Sequence, residues 1–241
     1  MKKLLISLIC FTLVLGFAFA FSSEDKGPLE KVKIIHYKNG EKKVFKVKPE
    51  GKGQPEKNTC YSFISNGAKW KTVEDYYINP VNNDSLSFNF VKSAVDAGVI
   101  EWETFGGNIF GNSFLDYNVT FNDTATDNLN TVSFGFDFSP NVIAVTNVWG
   151  YFGGKPSTRE LIEWDMQLND YYFWGNAEID SNLMDLQNIV THELGHSAGL
   201  ADLYRNRCYW ETMFGYGEEG ETYKRTLNSG DITGIQKLYG A

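Results

Sequence analysis

The run His192-Glu193-Leu194-Gly195-His196-Ser197-Ala198-Gly199-Leu200-Ala201-Asp202 decides how this chain reads. Two histidines four residues apart lie on one face of a helix, close enough to hold one ion. Neutral imidazole is a good zinc ligand, and a catalytic zinc takes three protein ligands and keeps one position open. Glu193, beside the first histidine, is placed to take a proton from a water at that open position. Gly199 can adopt a positive φ, end the helix and turn the chain back. That turn brings Asp202 round as the third ligand.

H-E-x-x-H by itself is a weak pattern that an ordinary amphipathic helix can carry. Here the glycine, the third ligand and a later methionine, Met213, follow in order. The histidines are only His36, His192 and His196. His36 lies in a different region, so a three-histidine site is not expected, and His36 reads as a surface strand residue.

These residues resemble the metzincin metalloproteases, whose pattern is H-E-x-x-H-x-x-G-x-x-H with a Met-turn. Asp202 stands where that pattern has its last histidine, as in the snapalysin-like members. Thr212-Met213-Phe214 matches the Met-turn in position. The tail, Asp231-Ile232-Thr233-Gly234-Ile235-Gln236-Lys237-Leu238-Tyr239-Gly240, is similar to the helix that closes matrixin catalytic domains. The resemblance implies an α/β metzincin (zincin-like) catalytic domain: a twisted mixed sheet, two long helices and a small C-terminal helical subdomain. It also implies Met213 as the floor beneath the ligands, and Tyr216 as a lining residue of the substrate pocket. In matrixins the strand before the active-site helix borders the cleft. If Leu161–Leu168 is that strand, an extended peptide could pair along it.

The 241-residue chain opens as a secretory signal. Lys2 and Lys3 precede an apolar stretch from Leu4 to Phe17, and Ala18-Phe19-Ala20 is a cleavage site. The expectation is a signal peptide over 1–20, cut after Ala20, and a secreted, monomeric product with no membrane span. Residues 21–59 hold ten Lys against six Asp/Glu, whereas 60–241 hold ten Lys/Arg against 24 Asp/Glu. An acidic body argues against nucleic acid as a partner. The contrast reads either as a solvated surface or as a basic arm docking on an acidic body. Two cysteines remain after the signal, Cys60 and Cys208. Their even number and the export signal favour a disulfide. The competing reading is a Cys60 thiolate latch on the metal.

Residues 32–48 read as a β-hairpin turning at Asn39-Gly40, and 49–58 as a linker. Residues 21–58 are therefore expected to be an arm, a propeptide or docking segment not needed for chemistry, and 59–241 the catalytic domain. Within that domain, strands are expected at Trp70–Ile78, near Tyr117–Phe121, and at Thr131–Phe138, Val142–Tyr151 and Leu161–Leu168. A helix capped by Asp84-Ser85 runs to Trp102, a second carries the zinc motif from about Ser181–Asp185, and a third runs from Asn228 to Tyr239. Tyr171-Tyr172-Phe173-Trp174 reads as core or loop packing.

The chemistry implied is hydrolysis of internal peptide bonds in proteins or peptides, with zinc as cofactor and Glu193 as general base. Calcium is common in the family, and the Asp/Asn-rich loops could bind it. A rival ligand set would take a downstream glutamate, Glu211, Glu218, Glu219 or Glu221, but the glycines among them disfavour a ligand helix. A rival from another class is a secreted binding protein on an inactive metzincin scaffold, which the presence of Glu193 disfavours. The usual matrixin cysteine-switch motif is absent.

Overall fold

The computed structural model describes residues 26–39, 59–136 and 138–240. The leader, the second half of the expected hairpin and the linker lie outside the described residues. The sheet strands are β1 (Leu29–Lys38), β2 (Glu74–Ile78), β3 (Phe110–Leu115), β4 (Asn130–Gly135), β5 (Val142–Tyr151) and β6 (Glu160–Asn169). A two-stranded ribbon follows, β7 (Trp174–Gly175) and β8 (Met184–Asp185), and then β9 (Tyr216–Gly217). The helices are α1 (Phe88–Gly106), α2 (Leu186–Ser197) and α3 (Ser229–Tyr239). The main sheet runs β3-β2-β4-β6-β5-β1-β9. Strands β3, β2, β4 and β6 are parallel, β5 runs against β6, β1 against β5, and β9 runs parallel to β1. This is a mixed α/β fold. Nine of the ten residues of β5 are buried, as expected of a strand covered on both faces.

Helix α1 buries Val91, Ala94, Val95, Val99 and Trp102, a helical spacing that forms one apolar stripe. Its N-cap is Ser87, whose hydroxyl accepts from the Phe90 N–H at 3.2 Å, and not the expected Asp84-Ser85 pair. Asp84 instead accepts from the Trp174 N–H at 2.8 Å. Helices α1 and α2 approach closely at Gly98, where a Cβ would lie 2.9 Å from Leu194 Cδ1. The Trp102 indole N–H donates to the Thr191 carbonyl at 2.7 Å, joining the same two helices.

Two strand expectations need correction. The expected strand at Tyr117–Phe121 is not formed; the strand comes earlier, as β3. Asp116 accepts from the Asn118 N–H at 2.9 Å, a side-chain-stabilised turn that ends the extended run. The Leu161–Leu168 segment, within β6, is not the border of the cleft, because β4 and β5 pair with it on both sides. The aromatic run divides by alternation: Tyr172 and Trp174 are buried, while Tyr171 and Phe173 are exposed.

The described part of the basic arm is docked. Strand β1 pairs with β5 from Leu29↔Tyr151 to Tyr37↔Val142. Lysines of the arm reach acidic partners: Lys31 and Lys33 to Asp123 at 2.8 and 2.9 Å, Lys38 to Glu219 at 2.6 Å, and Lys26, just before β1, to Glu160 at 2.6 Å. Exposed pairs of this kind contribute about 0–1 kcal/mol each, so the main-chain ladder holds β1 and the lysines guide it. Partial burial alone would raise the Asp123 carboxyl, but Lys31, Lys33 and Asn147 hold it down at about 2. A carboxyl held below its ordinary 3.8 stabilises fully above that pH and loses its contribution as the pH falls towards 2. The melting-temperature gap between wild type and Asp123→Asn is therefore expected at pH 7 and should close near pH 2. A gap independent of pH would remove the ion pairs from the account.

Cys60 and Cys208 are joined by a disulfide across 148 positions of sequence. It ties the start of the domain to the loop beyond the zinc motif, and the Cys60 thiolate latch is not formed. Closing so long a loop stabilises by up to about 4–5 kcal/mol in the chain-entropy model. Cys208→Ser is expected to lower the melting temperature markedly; an unchanged melting curve would contradict this.

Candidate active site

Helix α2 places the motif. Asp185 is its N-cap, accepting from the Asn188 N–H at 2.9 Å, while Arg225 holds the same carboxylate through Nε at 2.8 Å. From Asn188 to Ser197 every residue is buried. Ile189 and Val190 sit in the core, so the helix is fixed in rotation and His192, Glu193 and His196 are turned inward together. Gly199 has φ +103°, and a Cβ there would lie 2.7 Å from the Ala68 carbonyl oxygen. Only glycine makes that turn without strain, and it returns the chain so that Asp202 faces the histidines.

The geometry has the form of a cation site. His192 Nε2 lies 3.1 Å from His196 Nε2, and Asp202 Oδ1 lies 3.2 and 3.4 Å from the two. Each Nδ1 points at a carbonyl, His192 at Thr212 at 2.6 Å and His196 at Leu200 at 2.9 Å. A carbonyl only accepts, so Nδ1 carries the hydrogen and both Nε2 lone pairs face inward. Ligand atoms about 2.0–2.1 Å from a tetrahedral zinc lie about 3.3 Å from one another, the spacing found here. Asp202 Oδ1 is buried without a hydrogen-bond partner. Its other oxygen accepts from the Tyr204 hydroxyl at 2.8 Å. Tyr204 thus orients the carboxylate, a role that the sequence did not signal.

The electrostatics agree. Burial pushes His192 down to about 4. Burial works against charge on His196 as well, yet Asp202 carries it up to about 9. Burial also opposes charge on Asp202, but the two histidines hold it well below the usual carboxylate range. The trio therefore favours one positive charge among its three ligand atoms, which a proton or a metal ion can supply.

Met213 is fully buried below the motif, and a Cβ on Gly195 would fall 2.2 Å from its Sδ. The Met213 and Thr212 backbone N–H groups donate to Asp231 at 3.1 and 2.7 Å. Asp231 also accepts from the Asn228 N–H at 3.0 Å, so one carboxylate at the start of α3 pins the methionine turn. Tyr216 lies on β9 beside the site, its ring 5.3 Å from that of Tyr204. Lys224, fully buried, donates to the Tyr216 carbonyl at 2.6 Å. The rival glutamates are engaged elsewhere: Glu211 with Gly230, Glu219 with Lys38, and Glu221 with Asn188. Glu218 belongs to no metal-type group among the described residues.

His36 contradicts its expectation. It is completely buried, with its ring centroid 4.0 Å from that of His192. Its Nδ1–H donates to Glu193 Oε1 at 3.0 Å, and the Thr146 hydroxyl donates to Oε2 at 2.6 Å. Burial, and then Lys224, holds His36 well below its ordinary value, so the ring is neutral. Burial likewise raises Glu193, which suits a general base working near neutrality.

The matrixin peptidase family model matches residues 70–240, a span that takes in the whole cluster on α2 and the closing helix α3. A search of curated proteins found no match. The match covers most of the chain, which belongs to the matrixin family and is a zinc metalloendopeptidase.

Proposed function

We propose that the chain is a secreted endopeptidase in which His192, His196 and Asp202 hold the zinc and Glu193 is the general base. The observation that carries this is the convergence of two Nε2 atoms and one carboxylate oxygen at 3.1–3.4 Å, with Glu193 beside them. When bound, zinc lowers the pKa of water towards about 7 and polarises the scissile carbonyl. Glu193 accepts the proton from the attacking water as oxygen adds to the carbonyl carbon. It then delivers that proton to the amine nitrogen as the C–N bond breaks. Met213 supports the ligands from below without binding metal, and Tyr216 borders the pocket for the side chain after the cleaved bond. Export is supported by the signal-like residues 1–20 and is compatible with the disulfide. Among the described residues no helix is long and apolar enough to cross a membrane. Residues 21–58 are read as a segment that supplies no reacting group, although His36 within it contacts Glu193, and the active unit as a monomer acting on protein substrates.

The test is cleavage of a denatured protein by the purified chain, before and after a chelator and after zinc is added back. Activity that disappears with the chelator and returns with zinc supports the reading. Cleavage indifferent to the chelator would refute it.

A further inference from the structure

Strand β5 presents Ala144, Thr146 and Val148 on one face, because side chains alternate along a strand. Ala144 and Val148 belong to the apolar core. The residues paired with Thr146 on either side are apolar too, Ile34 on β1 and Met166 on β6. Thr146 itself is fully buried. A hydroxyl buried among apolar groups costs free energy unless it is bonded. Valine has nearly the same shape without that cost, so packing alone favours valine at this position.

The hydroxyl is bonded, and its partner is the base. Thr146 Oγ1 donates to Glu193 Oε2 at 2.6 Å, the length of a hydrogen bond to an ionised carboxylate. Glu193 is fully buried on α2, beside His192. The last torsion of a glutamate side chain is broad, so a carboxylate without an anchor turns its lone pairs through a wide range. An ionised carboxylate has about four acceptor sites on its two oxygens. The Thr146 bond fills one of them, and the His36 bond to Oε1 another. Acceptor sites therefore remain for the proton of a water.

Resting on the reading of Glu193 as the general base, we propose that Thr146 is a positioning residue for it. The hydroxyl fixes the plane of the carboxylate, so that a lone pair stays directed at the attacking water beside the ligand trio. Thr146 touches neither substrate nor metal and keeps its own proton throughout. The transferred proton passes from the water to Glu193 and then to the amine nitrogen. Both transfers need the carboxylate within hydrogen-bond reach, and a group held in place before the reaction loses no rate to misplacement.

The experiment compares full-length wild type with Thr146→Val, which keeps the shape and loses the hydroxyl, and Thr146→Ser, which keeps the hydroxyl and loses the methyl. Thr146→Ala stands in if the valine variant misfolds. Zinc content and circular dichroism are recorded for each, and kcat and KM are measured on a peptide. The valine variant is expected to hold zinc as wild type does. Its kcat should fall about 10- to 100-fold, the range found for partners behind the groups of metal sites. KM should stay unchanged, the mark of an interaction that counts only in the transition state. Serine should restore kcat close to wild type. A valine variant as fast as wild type, or a serine variant as slow as valine, would overturn the positioning role and leave Glu193 as the base. Equal turnover in wild type and Glu193→Ala would overturn the reading of the base, and the role of Thr146 with it.

Discussion

Asp202→Ala is expected to leave the folded chain without bound zinc at concentrations where wild type holds one ion. The trio is held by burial and by the Thr212 and Leu200 carbonyls and the Tyr204 hydroxyl behind it, and Asp202 is its only source of negative charge. Removing it leaves two neutral imidazoles whose lone pairs converge at 3.1 Å. Loss of a hydrogen-bond partner behind a ligand typically costs about 10- to 100-fold in metal affinity, and loss of a ligand costs more. Asp202→His restores a ligand atom and is expected to recover binding in part. The measurement is competition for zinc with a chromophoric chelator, run alongside circular dichroism to confirm folding. Normal zinc affinity in Asp202→Ala would sink the assignment of the third ligand.

Glu193→Ala separates the metal from the chemistry. Its carboxylate is not among the three converging ligand atoms, so zinc should bind as in wild type. The proton relay disappears, and hydrolysis should fall by about 100- to 10,000-fold, the usual contribution of a positioned base. The comparison belongs in the full-length chain. In the full-length protein the variant also frees His36 from a partner, so its stability should change while its metal content does not. Turnover within a few-fold of the parent would show that another group takes the proton.

The residues that proved legible in sequence are those that local geometry brings together. His192, Glu193 and His196 share one helix, and Gly199 and Asp202 follow within one turn of chain, so spacing alone implies their meeting. The start of α3 beside Asn228, which caps it, and the course of β5 were readable for the same reason: caps and apolar runs are local signals. His36 was not readable. It meets Glu193 across 157 positions of sequence, and a histidine on a lysine-rich strand carries no sign of what it will face. Tyr204 was missed because its hydroxyl matters only once the turn at Gly199 has set Asp202 beside it. The misplacement of the cleft border followed from the same blindness to long-range pairing. Nothing in the residues of β6 shows that β5 folds back to cover its free side, or that β1 then covers β5.

The pinning of the methionine turn by Asp231 shows how a family-like tail acquires a physical reason. Its carboxylate satisfies three backbone donors at once, so α3 fixes the floor of a site to which it contributes no ligand.

Metal analysis of the full-length chain, purified without chelators and confirmed as folded, tests the central claim most directly. The account predicts one tightly held zinc per chain, lost in Asp202→Ala and retained in Glu193→Ala. A folded wild-type chain that carries no zinc and takes up none when it is supplied would contradict it.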